Sequence, residues 1–209
     1  MEIKDKLDKP FTKEQRLEFI VTNNHTLGYA IEETETELQA LGYTEEEIAL
    51  QERERIAKLY LTGADVERGI YQAKGMDFDD ILAFVMANPP QGLDVKALRI
   101  ELKANHFYRG NPYVSAIGGL LGFTIGQLDK FFETNDHIYL TTKTLTINAI
   151  PAGAIVKING IEKNNVAIPY GEIVEYEVSC EGYVTQTLSV LMDDDKTLDV
   201  MLQAIEVEE

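Results

Sequence analysis

The residues best suited to chemistry in this chain form a polar and aromatic cluster at positions 106–113. The cluster contains His106, Tyr108, Arg109 and Tyr113. Tyr and Arg are over-represented at the energetic centres of protein interfaces. We therefore identify these four residues as a candidate protein-binding site. The alternative is a loop in which the Tyr rings pack on a helical body and Arg109 caps a helix end.

Metal and nucleophile chemistry is not indicated by the remaining reactive residues. His25, His106 and His137 show no short paired spacing of the kind that zinc sites use, and no cysteines cluster with them. Cys180 is the single cysteine, and no histidine is near it in sequence, so we expect a half-buried strand residue. The sequence predicts no catalytic residues, no metal site and no cofactor.

Acidic and glycine-rich segments have structural explanations. Asp77 precedes an apolar helical pattern and is expected to cap that helix. The run Asp193–Asp195 is expected to form a turn between strands, with participation in a calcium site as the alternative. The segment 117–122, with sequence IGGLLG, follows no strand and has no Lys partner, so we predict close helix packing there.

The charge of the chain limits the partners that it can bind. Nineteen basic residues against thirty-six acidic ones give a formal net charge of −17. Binding to nucleic acids or anionic membranes requires clustered Lys and Arg, and the sequence contains no such cluster. The charged amino terminus does not resemble a signal peptide. We therefore predict protein partners, no nucleic acid, no membrane, and synthesis in the cytoplasm.

The first two thirds of the sequence predict helices that begin at capping residues. Residues 1–60 are interpreted as a helical or irregular arm, with 26–31 as a possible strand. Residues 61–134 show apolar spacing of three and four and are predicted to form a small helical bundle. The expected caps share short polar side chains placed just before apolar runs: Thr12, Thr44, Thr62, Asp77, Asp94, Asn111 and Thr124.

Residues 139–205 instead alternate between apolar and polar side chains. Leu145 and Ile147, and likewise Val174 and Val178, are separated by polar positions, and Asn159-Gly160 is a strong hairpin signal. Period-two patterning predicts an antiparallel β-sandwich with one buried face per sheet. The inward positions are expected to include Ala149, Ala154, Val156, Ile158, Tyr176, Leu188, Val190, Leu198, Val200 and Leu202. The predicted fold class is thus α+β, with a helical bundle followed by an Ig-like β-sandwich, and we expect a fragment starting near His137 to fold alone.

Two family resemblances accompany these patterns. The segments PAGAIVKING at 151–160, IPYG at 168–171 and EGY at 181–183 resemble the PEGA family of Ig-like β modules, although Ala152 replaces the usual Glu. That resemblance implies surface display and no enzymatic activity. The segments FTKEQ at 11–15, NNHTLGY at 23–29, GYTEEE at 42–47 and YRGNP at 108–112 are similar to uncharacterised phage and prophage proteins encoded near tail and baseplate genes.

These observations predict a non-enzymatic phage or prophage structural or adaptor protein. The resemblance implies a tail or baseplate location, with the helical part docking and the β module displayed or packed on a neighbour. A homo-oligomer is compatible with this role. The alternative is a cytoplasmic assembly factor, or an acidic inhibitor that binds a host protein through its negative surface.

Overall fold

The computed structural model of the chain describes residues 1–205. It divides into two compact units, one running from Met1 to Arg55 and one beginning at Ile56. Both units mix helices and strands, so the α+β class is observed.

The first unit is built on a small antiparallel sheet. It contains β1 (Glu2–Asp8), α1 (Lys13–Ile20), a π-helix (Val21–Thr26), β2 (Ala30–Glu33), β3 (Glu37–Gly42) and most of α2 (Glu45–Ala57). The strand order is β1-β3-β2, with both pairs antiparallel. Phe19, Leu38 and Ala40 form its core.

The prediction of a helical or irregular arm over residues 1–60 did not include strands β1 and β3, whereas β2 overlaps the possible strand at 26–31. Strand β1 has no apolar alternation because its positions are solvated, and Lys6 pairs with Glu37 at 3.3 Å. Strand β3 alternates, but its buried positions include the small Ala40 and Gly42, which give a weak signal. The capping boxes at Thr12 and Thr44 are present as predicted.

The helical part of the second unit surrounds one apolar core. Its elements are β4 (Tyr60–Thr62), α3 (Gly63–Lys74), α4 (Phe78–Ala87), α5 (Val95–Glu101), β5 (His106–Tyr108), α6 (Pro112–Leu120), α7 (Ile125–Thr134) and a 3-10 turn (His137–Leu140). The predicted caps Thr62, Asp77, Asp94, Asn111 and Thr124 all accept backbone N–H bonds. The antiparallel ribbon of β4 and β5 was absent from the sequence prediction, because each strand is three residues long and they pair across forty-odd positions of chain.

The predicted close packing in the segment 117–122 is observed between α6 and α7. A Cβ atom built on Gly118 would lie 2.5 Å from Leu128 Cδ1, whereas one on Gly119 would meet nothing within 4 Å. The absence of a side chain at Gly118 therefore lets the two helices approach each other. Gly119 has no such role.

The β module, residues 142–201, consists of two facing sheets. Its strands are β6 (Thr142–Ile150), β7 (Ile155–Ile158), β8 (Ile161–Glu162), β9 (Asn165–Pro169), β10 (Ile173–Ser179), β11 (Gln186–Leu191) and β12 (Lys196–Met201). One sheet has the order β11-β10-β7-β8 and the other β12-β6-β9. Side chains from both sheets form one core, which gives a sandwich.

Most predicted inward positions of the module are buried, with two corrections. Leu188 is 46% exposed, and it lies on β11, which is an edge strand of its sheet. In addition, β12 pairs with β6 in parallel, so the sandwich is not purely antiparallel. Parallel and antiparallel strands share the same two-residue alternation, so the pattern could not distinguish them. The Ig-like assignment stays a prediction.

The two cores of the second unit are separate but joined by a short connection. Leu140 belongs to the helical core, while Leu145 belongs to the sandwich core. Gln127 Nε2 donates to the carbonyl oxygen of Thr141 at 3.0 Å, and the Tyr139 ring packs edge-on against Tyr170 at 5.5 Å. The chain therefore passes from one core to the other just after Leu140.

Candidate functional site

Aromatic rings on β4 and β5 form an exposed cluster on the helical part. Tyr60 and Tyr108 are cross-strand partners, 56% and 53% exposed, and their ring centroids lie 5.7 Å apart. His106 is also exposed, and its ring contacts Tyr60 edge-on at 5.4 Å. We call Tyr60, His106 and Tyr108 the aromatic ribbon. Such rings offer a large contact area at a small cost in side-chain entropy, which suits a protein interface.

The sequence prediction named two members of this ribbon and missed the third. His106 and Tyr108 lie two positions apart on β5, so they project on one side. Tyr60 is brought to them only by the pairing of β4 with β5. The one sequence signal for strand β4 is the short alternation of Tyr60, Leu61 and Thr62, in which Leu61 is buried.

Arg109 is not part of the exposed surface. It is 6% exposed, and its Nε lies 2.7 Å from Asp129 Oδ1. The Nε–H does not point at that oxygen, so the contact is an ion pair and not a hydrogen bond. Nη1 donates to Ser115 Oγ at 3.0 Å, and Nη2 donates to the carbonyl of Ile125 at 3.5 Å. Arg109 thus ties the turn before α6 to the first turns of α6 and α7.

Tyr113 also packs inward. It is half-buried against the helical core, and its backbone N–H donates to Asn111 Oδ1 at 3.0 Å. Of the four predicted binding residues, the structure therefore places His106 and Tyr108 on the surface and uses Arg109 and Tyr113 for packing. A protein-binding role for the exposed pair stays a prediction.

The acidic run at residues 193–195 lies between β11 and β12, as predicted. Asp193 contacts Lys196 Nζ at 2.6 Å, and that hydrogen bond holds the pKa of its carboxyl below the usual value. The backbone N–H of Asp195 lowers the pKa of Asp194 similarly, helped by Lys143. Asp195 accepts the Thr144 N–H at 2.6 Å. Asp193 thus pairs within the turn, whereas Asp194 and Asp195 join the turn to Lys143 and Thr144 at the start of β6.

Metal-ligating side chains do not cluster in the described part of the chain. Among residues 1–205, no group of three or more His, Cys, Asp or Glu side chains could hold a metal ion. Cys180 is half-buried, as expected. Within the same residues, no helix is both long and apolar enough to cross a membrane.

A polar groove opens in the β module where the chain changes sheets. Strand β8 pairs with β7, whereas β9, which follows directly, pairs with β6. The groove at this crossing has a volume of about 560 Å³, and its lining includes Asn148 of β6 and the segment 162–164 that joins β8 to β9. Its polar, open lining does not resemble the apolar pockets that hold small-molecule ligands.

The family model that the chain matches concerns the β module. Residues 142–201 match the family model described as a head fiber dimeric protein-like domain. A stretch of 61 residues is 43% identical to the "Head fiber dimeric protein" of Bacteroides phage crAss001, covering 29% of this chain and 50% of that relative. The matched stretch thus spans half the length of the relative.

The family match does not confirm the resemblance to the PEGA family. No solved structure matches the chain. The match begins and ends within β6 and β12, so it covers the strands of the sandwich described above. The similarity of residues 142–201 to the head fiber dimeric protein-like domain therefore extends over the whole sandwich.

Proposed function

We propose that this chain is a non-enzymatic structural protein of a phage particle. The observation that carries the proposal is the 43% identity, over 61 residues, to a phage protein named for a head fibre. A domain of this kind acts by occupying a place in an assembly, so it needs no catalytic group. The helical part and the first unit lie outside residues 142–201, which match the family model, and their roles belong to the same proposal.

Within the particle, the two parts of the second unit have different tasks. Residues 61–134 dock on a particle component, and residues 139–205 are displayed or pack on a neighbouring subunit. The exposed aromatic ribbon supports docking through the helical part, because exposed Tyr rings are favourable at interface centres. The β module joins a second copy of the chain, as the name of the relative indicates for that protein.

The position on the particle is the finer part of this proposal. The name of the crAss001 relative favours the head. The tail or baseplate location that the sequence resemblance implies is the second possibility. Either location requires that the chain remains in the mature particle.

A second candidate is a cytoplasmic assembly factor or an inhibitor that captures a basic host protein. The net charge of −17 favours it, since an acidic surface attracts such partners electrostatically. Binding of this kind weakens as salt screens the charges. Docking through the aromatic ribbon would depend far less on ionic strength.

Immunogold electron microscopy of purified particles tests the proposal. Antibodies raised against residues 139–205 should label intact particles, and preimmune serum should not. Gold on heads supports the head location, and gold on tails supports the tail or baseplate. Particles that carry this chain's gene but bind no gold, in intact or disrupted form, would overturn the structural function.

A further inference from the structure

The outward face of the β12-β6-β9 sheet has an unusual composition for so acidic a chain. Its inward side is defined by the buried Leu145 and Ile147, so the alternate positions point outward. Registered neighbours on the three strands bring small uncharged side chains together. We call this surface the threonine face, and its central residues are Thr144, Thr146, Asn148, Asn165, Ala167 and Thr197.

Charge is nearly absent from the threonine face. Asp199 is the one ionisable residue among the outward positions of these three strands in the described structure, and Asn148 Nδ2 donates to it at 2.9 Å. The outward face of the opposite sheet differs, since it carries Lys157 beside Glu175 and Glu177. The two outer faces of the same sandwich are therefore chemically distinct.

We infer that the threonine face is the surface through which two copies of this chain pack against each other. The inference rests on the proposed function, which supplies the second copy. Two chains of net charge −17 repel, so they approach most easily through a surface with few carboxylates, and this face carries only Asp199 on its strands. The face also lies wholly within residues 142–201, the segment that matches the head fiber dimeric protein-like domain.

The side chains on this face are small and already ordered. Asn165 Nδ2 donates to Thr146 Oγ1 at 2.7 Å, which links β9 to β6 across the surface. Ordered short side chains lose little conformational entropy when a partner covers them. A sheet with such side chains can pack against an identical sheet at the usual separation of about 10 Å.

Sedimentation equilibrium of the full chain and of three variants tests the inference. Wild type is expected at twice the 23.5 kDa chain mass. Thr146→Glu and Ala167→Glu place a carboxylate on the threonine face, and each should weaken the dimer at least about 100-fold because an unpaired charge would be buried. Ile155→Glu is the matched control. Ile155 is exposed and outward on the opposite sheet, opposite Ser179, so its dimer should persist.

The possible outcomes separate this inference from the proposal beneath it. Monomeric Thr146→Glu and Ala167→Glu, with wild-type circular dichroism and a dimeric Ile155→Glu, support the threonine face. Variants that both remain dimers overturn the face while leaving the dimer standing. If one of these two variants misfolds, the oligomeric state of the other one decides. A monomeric wild type at all concentrations overturns the face together with the dimer, whereas labelling of particles still decides the structural function.

Discussion

Close packing of α6 on α7 predicts opposite effects for alanine at two adjacent glycines. Gly118 and Gly119 belong to the same helix, but only the Cβ added at Gly118 would collide with Leu128. That Cβ would lie 2.5 Å from Leu128 Cδ1, about 1 Å or more inside an ordinary carbon–carbon contact. Leu128 is buried, so its side chain cannot turn away freely.

The expected magnitudes follow from two opposing terms. Alanine is favoured over glycine inside a helix by up to about 1 kcal/mol. Overpacking a tight core costs about 1–3 kcal/mol. The gain in helix propensity is nearly the same at Gly118 and Gly119, so it cancels when the two variants are compared. Gly118→Ala should therefore be less stable than Gly119→Ala by about 1–3 kcal/mol. Gly119→Ala should be at least as stable as wild type.

Urea unfolding followed by circular dichroism at 222 nm measures this difference directly. The free energy of unfolding should fall with urea concentration at the same slope in both variants, since neither changes the buried surface greatly. In thermal melts the same difference corresponds to about 2–12 °C. Equal stability of the two variants would refute the close approach of α6 and α7, and so would a more stable Gly118→Ala.

Three further predictions concern the β module and the buried ion pair. Val156→Asp buries an unpaired carboxylate, so the sandwich should unfold and lose its resistance to proteases. Ile155→Asp, on the outward side of the same strand, should remain folded and resistant. A folded Val156→Asp variant would show that the inward face is misassigned. Asp129→Ala should lower the free energy of unfolding in urea by about 1–3 kcal/mol, which is less than for a fully buried ion pair because Asp129 is 31% exposed. An unchanged urea midpoint would contradict the role of Arg109 in joining the turn before α6 to α6 and α7. The pKa of Asp193 is lowered in the folded state, so its ionised carboxyl stabilises the fold above the ordinary Asp pKa, and this contribution is lost as pH falls through the pKa of the folded state. Between pH 5 and 2 the Tm of Asp193→Asn should therefore fall less than the Tm of wild type. Parallel curves of Tm against pH would be inconsistent with the pairing to Lys196.

Features that depend on local chemistry were predictable from the sequence. Thr62, Asp77 and Thr124 cap helices as expected, because a capping bond joins residues two or three positions apart. The alternation around Val174 and Val178 likewise located the buried side of β10. Such signals need no knowledge of distant partners.

Features that depend on distant partners were not predictable. Arg109 looked exposed in sequence, but Asp129 lies twenty positions away and makes its burial possible. Tyr60 joined the aromatic ribbon only through pairing with Tyr108. Leu188 followed the correct alternation and is still exposed, because alternation does not reveal that β11 lies at the edge of its sheet.

Quantitative mass spectrometry of gradient-purified particles tests the central claim most directly. The particles come from lysates of a host strain in which the phage encoding this chain multiplies. We predict that the chain co-purifies with intact particles at a fixed, even copy number relative to the major capsid protein, and that washing at high salt does not remove it. Recovery of the chain only in the soluble lysate would contradict a structural role and would favour the assembly factor or inhibitor.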